Sequence, residues 1–151
     1  MTYDELLIEA EELGIIVKEI KMRTKKGRCY GNRIAINSKL NNTEKACILA
    51  EELGHYNLTI GNILNQKEIE NKKQELIARK YGFDRNVGLI GLIEAFKHGC
   101  IGRFEIAEYL DVTEEYLQEA IDYYRDKYGV MYQIDNYLIY FMPNLFIGKA
   151  F

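Results

Sequence analysis

Two carboxylates and an imidazole lie close together in one short stretch of the sequence, Glu51-Glu52-Leu53-Gly54-His55. Glu51 and His55 are four residues apart, so on a helix they stand one above the other on the same face. A carboxylate and an imidazole in that arrangement can bind one divalent metal ion together. Glu52 points in a neighbouring direction, from which it could act as a general base without binding the ion.

The helix that must carry these residues is predicted to run from Thr43 to Asn57, with N-cap chemistry from Asn41-Asn42-Thr43. Its apolar residues recur at helical spacing and form one face: Ala46, Leu49, Ala50 and Leu53. The other side is only partly polar, because Ile48 lies beside His55. We therefore expect a central helix that is covered on both sides. Burying charged groups without partners is costly, and a bound metal would offset that cost.

The same residues also have a purely structural interpretation. A Glu51–His55 pair on a surface helix can be a simple ion pair worth about 0.2–0.5 kcal/mol. The chain has one other histidine, His98, which is predicted to end a helix and is interpreted as structural, since a cation is stabilised there. The mixed character of the motif helix favours the metal interpretation.

The segment Ile48–Tyr56 resembles the active-site helix of the ImmA/IrrE family of metallopeptidases, whose usual form is H-E-L-G-H; here Glu51 stands in place of the first histidine. Gln74–Tyr81 resembles the downstream E-x-x-A segment that supplies the family's third metal ligand. The predicted strand, hairpin and capped helix precede the motif in the family order. The segment Glu105–Gly129 and its closing hairpin also resemble members of this size. The resemblance covers about Ile15 to Pro143.

The resemblance implies that Glu51, His55 and Glu75 bind the metal and that Glu52 is the catalytic glutamate. If Glu75 is not the third ligand, Glu68 or Glu70 is the next candidate. This ligand set suits Zn and leaves room for Mn or Fe. Two carboxylates would neutralise much of the charge of the ion, which predicts a weaker hydrolase or a higher pH optimum.

The implied activity is that of a metal-dependent endopeptidase whose protein substrate is a transcriptional repressor of a phage or mobile element. It would use a metal-activated water, with Glu52 as general base. The unusual Glu51 leaves open an alternative, a non-catalytic metal-binding adaptor that binds a repressor without cleaving it.

The expected fold is α+β and zincin-like, with a small antiparallel sheet packed on a helical bundle, a central active-site helix and a C-terminal helical and hairpin segment. The strand Arg33–Asn37 is expected beside the cleft, where an extended peptide could add to its edge. The other elements are predicted at about Tyr3–Leu13, Ile15–Ile20, Gln66–Tyr81 with Gly82 as C-cap, Asn86–Lys97, Phe104–Leu110, Thr113–Tyr128, Val130–Ile134 and Tyr137–Met142.

The length of 151 residues suits one core, so we expect a single domain over 1–151, with its core at about 15–98 and the C-terminal helices and hairpin at about 103–143. The formal charge is −3, whereas a general nucleic-acid coat protein is basic. The helix-turn-helix-like pair within Glu105–Tyr128 carries acidic residues on its second helix, so direct DNA binding is not expected. Three scattered cysteines, with no signal peptide and no long apolar run, predict a cytoplasmic protein without a membrane partner.

One further feature is the basic stretch Lys18–Arg28, in which six basic residues and one acidic residue give a local charge of +5. Its ordinary interpretation is a solvated hairpin loop. The functional alternative is an electrostatic docking site for an acidic partner segment.

Overall fold

The computed structural model describes residues 1–61 and 71–150, and within these residues the chain forms six helices and six strands. In chain order they are α1 (Tyr3–Glu12), β1 (Ile16–Ile20), β2 (Gly27–Tyr30), β3 (Arg33–Asn37), α2 (Asn42–Gly61), α3 (Asn71–Asn86), α4 (Leu89–Lys97), α5 (Gly102–Leu110), α6 (Glu114–Tyr128), β4 (Met131–Ile134), β5 (Tyr137–Tyr140) and β6 (Phe146–Lys149). The α+β class is confirmed.

The chain divides into two compact units, Met1–Asn86 and Val87–Phe151. The first unit contains α1 to α3 with β1 to β3, and the second contains α4 to α6 with β4 to β6. The expectation of one domain over 1–151 stays a prediction. The core expected at about 15–98 leaves out α1 and includes α4. In the structure, α1 belongs to the first unit and α4 to the second.

The three strands of the first unit form one sheet in the order β1-β3-β2. β2 and β3 are antiparallel and joined by a two-residue turn at Gly31-Asn32, where Gly31 adopts φ +59° as such a turn requires. β1 runs parallel to β3, so this sheet is mixed rather than wholly antiparallel. The expectation that a peptide could add to the edge of β3 is wrong, because β1 and β2 occupy both of its edges.

The helix α2 is central to the first unit, as the sequence predicted. Its apolar face is at most 1% exposed, and the helix packs against α1, α3, β2 and β3. A capping box begins it: the Glu44 N–H donates to Asn41 Oδ1 at 2.8 Å, and the Asn41 N–H donates to Glu44 Oε1 at 3.2 Å. The helix continues to Gly61, four residues beyond its predicted end at Asn57.

The helix α3 extends further than its sequence pattern indicated. Gly82 lies within the helix, so the prediction that it is the C-cap is wrong. The reason is burial of the last turn, in which Phe83 is 3% exposed and the Asn86 amide donates to the Ala46 carbonyl at 3.1 Å. The predicted start of this helix at Gln66 lies outside the described residues.

The second unit joins a helix-turn-helix-like pair to a three-stranded antiparallel sheet in the order β4-β5-β6. Between α5 and α6, Asp111 adopts φ 56°, and the Thr113 side chain accepts a hydrogen bond from the Tyr116 N–H at 3.0 Å. The sequence did not indicate β6, in which only Ile147 is classed as buried. No described helix is long and apolar enough to cross a bilayer.

The contact between α2 and α3 is closest at Gly54. A Cβ added there would lie 2.5 Å from the carbonyl oxygen and 2.8 Å from the Cα of Ala78, which are backbone atoms that cannot rotate away. We expect Gly54→Ala to lower the free energy of unfolding by at least about 1 kcal/mol, because overpacking outweighs the helix-propensity gain of alanine. Denaturant unfolding measures this change.

The matched control is Gly91→Ala in α4, where a new Cβ would meet only the end of the Leu110 side chain at 3.3 Å. That variant should be near neutral or more stable than wild type by up to about 1 kcal/mol. If Gly54→Ala and Gly91→Ala change the free energy of unfolding equally, the close contact between α2 and α3 does not have the importance assigned to it.

Candidate metal centre

The two helices α2 and α3 lie side by side with opposite directions in the first unit. Glu51 faces Arg79, and one turn further along α2, His55 faces Glu75. The close approach at Gly54 holds these pairs at hydrogen-bonding and ion-pair range. The three side chains that the sequence analysis proposed as metal ligands are therefore brought together by packing of the two helices.

The donor atoms of Glu51, His55 and Glu75 all lie within 4.8 Å of one another. His55 Nε2 is 3.4 Å from Glu75 Oε1. Tetrahedral metal bonds of about 2.0–2.2 Å separate neighbouring donor atoms by about 3.4 Å, so this pair already has the required spacing. One imidazole and two carboxylates are also a donor set that a first-row divalent metal accepts. The residues present therefore fit a metal ion.

The site is open to solvent on the side of α3. The side chains of Glu51 and His55 are 21% and 24% exposed, whereas that of Glu75 is 58% exposed. Arg79 Nε lies 4.0 Å from Glu51 Oε2 and supplies a compensating cation. Counting Glu52, three carboxylates meet here, and a divalent cation would reduce their mutual repulsion.

The catalytic candidate Glu52 has a different environment, since it is only 9% exposed. Burial, reinforced by the charges of Glu51 and Glu75, raises the pKa of Glu52 to about 7, while Lys25 acts in the opposite direction. Positive charge placed at the three donor atoms would lower this pKa and favour the carboxylate form that a general base needs.

The strand β2 covers Glu52. A Cβ added at Gly27 would lie 3.3 Å from Glu52 Cγ and 2.5 Å from Ile48 Cγ2, so glycine is the residue that allows the strand to approach the helix. Cys29 follows two residues later on the same face of β2. Burial, together with the charge of Glu52, raises the pKa of the Cys29 thiol to about 11.

These neighbours of the site, Lys25, Gly27 and Cys29 in and before β2 and Arg79 in α3, were not predicted as site residues. Arg79 lies four residues after Glu75, so helical spacing could have indicated it. The residues in and before β2 carry no sequence signal of this kind, because their contact with α2 crosses more than twenty positions of the chain.

Three further residues were considered in the sequence analysis, namely His98, Glu68 and Glu70. His98 lies in the second unit at the C-cap of α4, and its ring stands 4.7 Å from that of Tyr109. This contact supports the structural interpretation of His98. Glu68 and Glu70, the alternative third ligands, lie outside the described residues.

An α+β unit with an imidazole and two carboxylates on packed helices, beside a buried carboxylate, has the arrangement of a zincin-like metallopeptidase. Residues 10–82 match the family model described as Peptidase M78, the IrrE N-terminal-like domain. For residues 10–82, this match confirms the resemblance to the ImmA/IrrE family that was drawn from the motif. The segment includes all four proposed site residues and ends before the second unit. Searches of curated proteins and of solved structures each found no significant match.

Metal binding to this site can be tested through its ligands. His55→Ala and Glu75→Ala should each abolish stoichiometric zinc binding and the stabilisation that zinc confers, about 2.7 kcal/mol at a hundredfold excess over the dissociation constant. Elemental mass spectrometry and thermal unfolding with and without zinc measure both effects. His98→Ala and Glu12→Ala are the matched controls and should keep zinc. If Glu75→Ala binds zinc as wild type does, the assignment of the third ligand is wrong.

The raised pKa of Glu52 predicts a pH dependence of the metal-free protein. Because the folded state holds the proton more tightly than the unfolded chain, protonated Glu52 stabilises the fold at low pH. That contribution is lost as pH rises from about 4.5 through about 7. In the presence of a chelator, wild type should therefore lose more unfolding free energy between about pH 5 and pH 8 than Glu52→Gln. If the unfolding free energies of the two proteins change equally with pH, the raised pKa assigned to Glu52 is wrong.

Proposed function

We propose that the chain is a metal-dependent endopeptidase that hydrolyses a protein substrate, with Glu51, His55 and Glu75 as metal ligands and Glu52 as general base. One observation carries the proposal: the donor atoms of two carboxylates and one imidazole lie within 4.8 Å of one another, beside a third, buried carboxylate. The metallopeptidase family of residues 10–82 supports the same chemistry. Zinc is the proposed ion, with manganese or iron as alternatives.

The bound ion would supply Lewis-acid chemistry, which acidifies water and polarises a peptide carbonyl. Glu52 accepts the proton of the attacking water and later gives it to the leaving amine. Its position under β2 leaves Glu52 only 9% exposed, so bulk water has little access to the carboxylate.

The free edge of β2 is the proposed place where the substrate binds. In the described part of the chain β2 pairs only with β3, which leaves one row of backbone hydrogen-bonding groups without a neighbouring strand. An extended peptide can add to such an edge. Because Gly27 and Cys29 of this strand adjoin Glu52, a peptide at this edge would pass close to the general base.

The substrate that we propose is a transcriptional repressor of a phage or mobile element, on the basis of family membership. The activity is assigned to the cytoplasm, in keeping with three cysteines that form no disulfide. We propose no direct contact with DNA or a membrane. Acidic residues of α6, including Glu115 and Glu119, are exposed and would repel phosphates.

A second candidate function is a non-catalytic adaptor that binds the repressor without cleaving it. The observation that favours it is the ion pair between Arg79 and Glu51 at 4.0 Å. Glu51 stands where the family's usual motif has histidine, and its interaction with Arg79 competes with metal binding. A weakly held metal would leave a binding surface without strong hydrolytic activity.

The decisive variant is Glu52→Gln, which keeps the size of the side chain and removes the base. It should retain metal and substrate while cleavage falls by at least ~100-fold, the usual scale of general-base catalysis. The assay follows, by mass spectrometry, cleavage of a candidate phage or mobile-element repressor. Glu44→Gln is the matched control on the same helix, because glutamine preserves the capping box.

Equal activity of wild type and Glu52→Gln would refute the mechanism. If both proteins bind the repressor tightly and neither cleaves it, the adaptor is the correct function.

A further inference from the structure

The sheet β1-β3-β2 has a second face, directed away from α2. Side chains alternate along its strands, so Ile34 and Ile36 are buried against the helices while Arg33 and Ala35 of β3 point the other way. This second face contains a groove of about 380 Å³. We call it the outer-face groove and define it by Ile16, Lys18, Ile20, Arg28, Arg33 and Ala35.

The register of the strands explains the groove. Lys18 of β1 and Arg28 of β2 both pair with Ala35, so the three residues form one row across the sheet. Strands lie about 4.8 Å apart, which places the two basic residues about 10 Å from each other with a methyl group between them. In the neighbouring row, Ile16 and Tyr30 flank Arg33. The small Ala35 is therefore the floor of a depression with cations on both sides.

Within the described residues no carboxylate forms an ion pair with Lys18, Arg28 or Arg33. On the opposite face of β1, by contrast, Glu19 pairs with Lys45 at 2.7 Å. The outer-face groove is consequently a site of local positive charge on a chain whose formal charge is −3.

The groove is also apolar. Ile16 is 46% and Ile20 48% exposed, although both belong to a regular strand and lie beside the basic row. Covering such side chains stabilises a complex by about 25 cal/mol for each Å² of apolar surface removed from water. A ligand that satisfies the whole surface must therefore combine negative charge with apolar groups.

We propose that the outer-face groove docks an acidic segment of a partner protein, in which carboxylates alternate with apolar side chains. A carboxylate above Ala35 would lie within reach of both Lys18 and Arg28, and neighbouring apolar side chains would cover Ile16 and Ile20. Nucleic acid fits less well, because phosphate recognition relies on a larger basic surface and leaves the isoleucines uncovered. The groove and Glu52 lie on opposite faces of the sheet, so this docking does not depend on the proposed catalytic function.

In the structure, the residues of the basic stretch Lys18–Arg28 fall on two different surfaces. Lys18 and Arg28 belong to the groove, and Arg33, outside that stretch, joins them. Lys25, in contrast, acts on the pKa of Glu52 on the other side of the sheet. Charge reversal in the loop and in the groove therefore tests different surfaces.

The proposal is tested with the full chain and three fluorescent peptides of about nine residues, alternating Glu and Leu, Glu and Ser, or Lys and Leu. The Glu–Leu peptide should bind at least ~10-fold more tightly than the other two, and its affinity should fall with salt. The double variant Lys18→Glu/Arg28→Glu should weaken that binding by at least ~10-fold. Ala35→Phe, which fills the floor without changing charge, should weaken it as well.

The matched control Lys39→Glu/Lys149→Glu makes the same charge change at exposed positions outside the groove and should bind the Glu–Leu peptide as wild type does. Circular dichroism and zinc content show whether the groove variants keep their fold. Binding of all three peptides with equal affinity, or binding that the groove variants leave unchanged, would overturn the proposal. Two further results would also overturn it. One is binding of a DNA duplex of about 20 base pairs that the groove variants weaken to the same extent as peptide binding. The other is a dimer, detected by light scattering, that the double variant Lys18→Glu/Arg28→Glu dissociates.

Discussion

The close packing of α2 against α3 is the contact on which the candidate site depends. At Gly54 the backbone of one helix approaches that of the other so closely that no side chain fits between them. This approach brings His55 opposite Glu75 and Glu51 opposite Arg79. Side chains of moderate length can then meet around one point. A wider separation would leave the imidazole and the carboxylates on separate surfaces, and neither helix alone carries three ligands in reach of one ion.

Electrostatics favour the interpretation of this cluster as a metal site. Three carboxylates in a small volume repel one another, and one of them, Glu52, is also deprived of water. Structures tolerate such a cluster when a cation compensates it. Arg79 supplies part of this compensation at the rim, and a divalent metal would supply the rest. The difference in burial between Glu52 and Glu75 agrees with the roles proposed for them, because a ligand can stand in partial contact with solvent while a proton-transferring group benefits from restricted water.

The first sheet connects two surfaces of different chemistry. Gly27 and Cys29 of β2 face the buried glutamate, whereas Arg28 on the same strand belongs to the outer-face groove. Alternation of side chains along a strand makes this possible within four residues. One short strand thus contributes a free edge and a covering for Glu52 on one side, and positive charge on the other. The second unit has a different character, because it holds ten acidic residues and only five basic ones.

Much of this protein could be predicted from local sequence patterns. Helical spacing indicated α2 and its buried face, and Asn41-Asn42-Thr43 at its start indicated the N-cap. The motif and its family resemblance led to Glu51, Glu52, His55 and Glu75. Information of this kind is local, since periodicity, capping and turn chemistry depend on residues a few positions apart. Long-range packing explains the rest: the paired edges of β3, the continuation of α3 past Gly82 and the covering of Glu52 by β2 all depend on contacts between distant segments. The groove between Lys18 and Arg28 likewise exists because β3 inserts between β1 and β2, and no spacing along the chain specifies which strand lies in the middle.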